Sequence, residues 1–115
     1  MEMEREAFER LVDAALDDIP RELADLIRNV VVLVEDDPPA DDPELLGLYD
    51  GVALTERGGE PALELPDRIL VFRHPLLAFC DDEEQLTDEV RITVVHEVAH
   101  HFGIDDDRLH ELGYA

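Results

Sequence analysis

The stretch His96-Glu97-Val98-Ala99-His100-His101-Phe102-Gly103 constrains this chain more than any other, because its outer histidines call for one backbone conformation. On an α-helix, residues four apart lie about 40° from each other on one face, so His96 and His100 can aim imidazole nitrogens at one divalent ion. On a strand they would sit roughly 13 Å apart, at about 3.3 Å per residue, too far to share it. Glu97 lies about 100° round from His96 on the same broad side, where a carboxylate can take a proton from water activated by the ion.

Local propensity opposes that helix. Val90, Ile92, Thr93, Val94 and Val95 are β-branched and, taken alone, favour a strand. The helical wheel resolves the conflict. Val90, Val94, Val95, Val98, Ala99 and Phe102 share one arc of about 180°, with His96 and His100 outside it, which describes a core helix carrying a site on its margin. The spacing predicts a helix from about Glu84 to Phe102, opened by the acidic run Asp81 to Gln85 and closed by Gly103 in the left-handed conformation. His101 falls about 120° from the midpoint of the histidine pair and is expected at the surface or behind the ligands. A third ligand must come from beyond the glycine, where Asp105, Asp106, Asp107, His110 and Glu111 all offer donor atoms.

Upstream, Phe8, Leu11, Val12, Ala15, Leu16 and Ile19 recur at helical spacing and predict an amphipathic helix over 4–19. A second short helix is expected from Pro20 to about Arg28, then a buried strand at Val30 to Val34. Pro38 to Pro43 reads as a loop. Gly47 and Gly51 bracket an expected turn near Tyr49-Asp50, followed by a strand at Val52 to Thr55. A further strand at Ile69 to Phe72 is expected to pair antiparallel with it across the 58–67 loop. Pro75 to Cys80 reads as a helical turn or short helix, with His74 a loop or capping residue. Cys80, the sole cysteine, follows Leu76, Leu77 and Phe79 and is expected to be a buried thiol.

At 115 residues the chain allows a single domain, 1–115, of α+β class: a three- or four-stranded sheet packed against helices. A net charge of −22 argues against nucleic acid and anionic membrane surfaces as partners, since both would repel it. No apolar run has the length of a signal or a membrane span, so a cytoplasmic protein is expected. No feature specifies an oligomeric state.

His96 to Asp106 reads HExxHxxGxxD and resembles the metzincin consensus HExxHxxGxxH, with Asp in the place of the third His. The run TVVHEVAHHFGIDDDRLHELGY (93–114) is similar to the signature of the small bacterial minimal zincins, a zincin-like metallopeptidase family. LLGLYDGVALTERG (45–58) and PDRILVFRHPLL (66–77) are also similar to that family. The resemblance implies a minimal zincin-like fold, a Zn2+ cofactor held by His96, His100 and Asp106, Glu97 as the catalytic carboxylate, and a peptide or protein substrate. It has two departures. The only methionines in the sequence are Met1 and Met3, so no Met-turn of the metzincin kind is expected, and with nine residues after Asp106 no lower subdomain is expected either. The cleft is therefore expected to be open on one side, completed by a partner, or used for binding without cutting. In that last case an extended peptide would add to a strand edge such as Ile69 to Phe72.

Overall fold

A computed structural model describes residues 1–27, 29–51 and 67–114. The first helix, α1 (Arg5–Leu16), buries Phe8, Leu11, Val12 and Ala15 at the predicted spacing. It stops short of Ile19, because Asp17 caps it and Pro20 opens the next element. That element, α2 (Arg21–Leu26), buries Leu23 alone and ends before Arg28, which lies outside the described residues.

Three strands follow: β1 (Val30–Glu35), β2 (Gly47–Asp50) and β3 (Asp67–Phe72), in the spatial order β1-β3-β2. β1 runs parallel to β3, with Val32 opposite Ile69 and Val34 opposite Val71. β2 runs antiparallel to β3, with Gly47 opposite Val71 and Tyr49 opposite Ile69. Three expectations need correction. The Tyr49-Asp50 segment is strand rather than turn, because it pairs antiparallel with β3 opposite Ile69 and Arg68. Ile69 to Phe72 is the centre of the sheet, bonded on both sides, and offers no edge to a peptide. β1 is only half-buried: Val34 alone is fully covered, since the strand has a neighbour on one side among the described residues. The strand expected at Val52 to Thr55 lies outside the described residues.

Strand alternation then divides the sheet into two faces. Ile69 and Val71 turn inward and are completely buried, whereas Leu48 and Leu33, paired through Leu70, turn outward and are 37% exposed. The helix over 83–102 packs against the sheet, and the helices before it in the chain pack against that helix. α3 (Arg73–Phe79) begins where β3 ends and carries Pro75 in its first turn, where a missing N–H costs nothing. Its Leu76 and Leu77 are buried, as is Cys80 just beyond it. His74, in the same turn, pairs through Nδ1 with Asp37 at 2.8 Å.

The longest helix, α4 (Glu83–Phe102), touches α1, α2, α3, β2 and β3. Asp82 caps it by accepting from the Gln85 amide at 2.8 Å, and the Gln85 side chain accepts in return from the Asp81 amide at 2.9 Å. Leu86, Val90, Thr93, Val94, Val95, Val98 and Ala99 are buried. Phe102, expected in that arc, is 43% exposed in the last turn of the helix, where Tyr49 meets its ring edge-on. Gly103 ends the helix at φ 70°, and the Ile104 amide returns to the Ala99 carbonyl at 2.9 Å. A last helix, α5 (Asp106–Glu111), is capped by Asp105 and buries Leu109. Arg108 grips Glu22 of α2 with two bonds, at 2.9 and 2.8 Å. No helix among the described residues is long and apolar enough to cross a membrane.

Two outcomes follow from this packing. Ile69→Ala is expected to lower unfolding free energy by about 2–5 kcal/mol in urea titration, and Leu48→Ala by less than about 1 kcal/mol. Asp36 accepts from Arg73 at 2.8 Å and faces Arg5 at 3.6 Å, and the Arg73 hydrogen bond above all holds its carboxyl below the usual aspartate range. A depressed folded pKa contributes stability above the unfolded value of about 3.9, and loses it as pH falls through the folded value. Asp36→Asn should therefore lower Tm at pH 7, with the difference from wild type vanishing in strong acid.

Candidate metal centre

Residues of α4 form two neighbouring rows, each with a step of four. His96 and His100 make one, and Thr93, Glu97 and His101 make the other. The second row lies under β2. A Cβ added to Gly47 would stand 2.5 Å from the Thr93 methyl, 3.2 Å from the Leu70 carbonyl oxygen and 3.9 Å from Cγ of Glu97. Only glycine allows this approach, and it brings the sheet down beside the carboxylate.

The ladder fixes which main-chain groups reach the helix. The Phe72 amide donates to the Leu46 carbonyl at 2.9 Å, so that pair is hydrogen-bonded, and alternation turns the amides of Gly47 and Tyr49 away from β3. Glu97 receives a backbone hydrogen bond from Tyr49. Its side chain is only 20% exposed, and burial pushes its pKa above the usual glutamate range. The neighbouring His100, the Tyr49 hydrogen bond and His96 partly oppose that rise.

The predicted site residues have distinct surroundings. His100 is open, with 81% of its side chain exposed and Nδ1 3.9 Å from the Glu97 carboxylate. His96 is half-buried, and its Nε2 donates to the Tyr114 carbonyl at 3.0 Å. Tyr114 itself packs against the core. Asp106 is the exposed first residue of α5. Asp105 is engaged as the cap of that helix at 2.8 Å from the Arg108 amide, and Glu111 pairs with Arg108 at 2.6 Å. Asp107 and His110 are exposed. The structure thus brings His96, Glu97 and His100 together on α4, while no group of three or more His, Cys, Asp or Glu side chains converges as a metal cluster among the described residues. In chemical kind the donors suit zinc: two imidazoles one turn apart, with carboxylates on both sides of the bend.

Sequence reasoning missed three residues here, Gly47, Tyr49 and Asp67. His101, exposed as expected, stacks its ring on Tyr49, with centroids 3.8 Å apart and planes 10° from parallel. The Tyr49 hydroxyl donates to Asp67 at 2.8 Å. The only signal for Gly47, Tyr49 and Asp67 was a glycine two residues before a tyrosine in a segment read as a turn. Because burial opposes ionisation of Glu97, its folded pKa is raised and its charge costs stability at neutral pH. Glu97→Gln is therefore expected to raise the Tm of metal-free protein at pH 7, with the gain shrinking as pH falls and wild-type Glu97 becomes protonated.

The sequence profile of the zincin-like metallopeptidase family matches residues 27–114, more than half of the chain, and spans every strand together with α3, α4 and α5. No curated protein matches the chain closely enough to count as a relative.

Proposed function

Because the chain belongs to the zincin-like metallopeptidase family, we propose that it is a zinc-dependent peptidase in which His96, His100 and Asp106 hold the ion and Glu97 is the general base. The observation that carries this reading is Glu97, a carboxylate drawn out of water beside two imidazoles of one helix face. Family resemblance supplies the third ligand: Asp106, in the place of the third His of the metzincin consensus, stands three residues past the left-handed Gly103 and opens α5. When bound, zinc supplies a Lewis acid for a peptide carbonyl and lowers the pKa of water from 15.7 to about 7.

Glu97 does the proton work. Its raised pKa brings it nearer the operating pH, which suits a group that takes a proton from water and returns it to a departing amine. The backbone hydrogen bond from Tyr49 keeps the carboxylate ionised enough to start as a base and fixes its direction. The open side of His100 leaves room for an extended substrate to approach. A surface of net charge −22 repels nucleic acid and anionic lipid, so the partner in this reading is a peptide or protein chain.

One contact favours a second reading, a module that binds metal or peptide without cutting: the Tyr114 carbonyl already occupies Nε2 of His96. Metal analysis with a fluorogenic peptide assay separates the two. The peptidase reading expects one zinc per chain, lost in His96→Ala and His100→Ala. It also expects Glu97→Ala to keep the metal while hydrolysis falls by about 10²-fold or more. Hydrolysis that survives Glu97→Ala overturns the assignment of the base, and zinc binding with no turnover in wild type favours the second reading.

A further inference from the structure

Three side chains beside the candidate centre make a connected group that the chemistry above does not use. Tyr49 sends its ring over His101, with centroids 3.8 Å apart, and meets Phe102 edge-on at 6.3 Å. Its hydroxyl donates to Asp67 Oδ2 at 2.8 Å, and the same oxygen lies 3.9 Å from Nε2 of His101. Gly51 floors the group: a Cβ there would lie 3.7 Å from Asp67, from His101 and from Tyr49 alike. Tyr49 is thus held at two points, by its ring face to α4 and by its hydroxyl to the first residue of β3. Its main chain is the part of β2 that hydrogen-bonds Glu97.

We propose that Tyr49, His101 and Asp67 are positioning residues for Glu97. Stacked on His101 and tied to Asp67, the Tyr49 ring sets where β2 crosses the Thr93-Glu97-His101 row, and so where the Tyr49 amide meets the Glu97 carboxylate. The inference rests on the peptidase reading for its consequence in catalysis, but the clamp is a statement about the chain alone. Contacts place the strand along this row: Gly47 lies against Thr93 and near Cγ of Glu97, and Tyr49 lies on His101. Without the stack, β2 would keep its ladder to β3 and the Gly47 approach, but the end of the strand that carries the Tyr49 amide would lose its tie to α4 through His101, and a tilt there would carry the amide off the carboxylate. None of the three needs to touch substrate.

The test uses the zinc-loaded full chain and two readouts. The first is hydrolysis of a fluorogenic peptide by wild type, His101→Ala, His101→Phe and Tyr49→Phe. His101→Ala is expected to lower kcat on the order of tenfold to a hundredfold, with KM and zinc stoichiometry unchanged, and His101→Phe, which keeps an aromatic plane, to restore most of it. The second is amide hydrogen exchange at Tyr49, protected in wild type and in His101→Phe but fast in His101→Ala. If His101→Ala does not fold, Tyr49→Phe, which removes the bond to Asp67 and keeps the ring, carries both readouts with smaller effects in the same direction. Unchanged Tyr49 exchange in His101→Ala overturns the clamp, as does a loss of kcat that His101→Phe fails to rescue. If wild type hydrolyses nothing, the peptidase reading fails, and the exchange readout still decides the clamp.

Discussion

Much of this structure depends on how closely β2 approaches α4 at Gly47 and Thr93. A single methyl group on Gly47 would stand 2.5 Å from the Thr93 side chain and 3.2 Å from a carbonyl oxygen of the neighbouring strand, so two walls close on it at once. The absence of a side chain lets the edge of a sheet lie directly on the helix that bears the histidines. Thr93 is covered as a result, and Glu97 one turn on loses most of its water. A conformationally permissive residue, costly in an ordinary strand, is here the condition for a carboxylate with a raised pKa.

The same contact shows what the amino-acid order reveals and what it hides. The helix over 83–102 was legible despite its β-branched run, because periodicity integrates over twenty residues and the two ends carry their own chemistry in Asp82 and Gly103. The first helix was legible for the same reason. β2 was not, since Gly-Leu-Tyr-Asp has turn composition, and only its pairing with β3 makes it strand. Nor could the four apolar residues Ile69 to Phe72 declare whether they lie at the centre or the edge of a sheet, which depends on elements far away in the chain. At the site, the step between His96 and His100 was readable from geometry. The choice of Asp106 among three consecutive aspartates came from family resemblance, because spacing alone does not tell adjacent carboxylates apart. The wheel correctly separated His101 from the histidine pair, yet an angle does not report what lands on a face, and what landed was Tyr49.

Charge is handled economically. The sequence holds 31 acidic residues and nine basic ones, all of them arginine, and several of those arginines bridge elements rather than decorate them. Arg73 joins α3 to Asp36 and to the Met3 carbonyl, Arg5 reaches the Val34 carbonyl of β1, Arg91 links α4 to Asp18, and Arg108 joins α5 to α2. A planar guanidinium offers several donors in fixed directions, so one side chain can serve two acceptors where an ammonium would serve as a point charge. The few cations are thus spent on tertiary ties, and the surface is left strongly negative.

The β-branched stretch of α4 has a further consequence during synthesis and refolding. Val90 to Val95 is helical because the sheet and α1 cover it, so a chain in which those contacts have not yet formed displays a segment that favours extended pairing with other chains. Parallel pairing of β1 with β3, across more than thirty residues, is the slower kind of contact to make, which lengthens that exposure. Arg91 interrupts the stretch while Glu89 and Glu97 flank it, and all three act as gatekeepers against aggregation, so the general base proposed for the folded protein also guards the unfolded one.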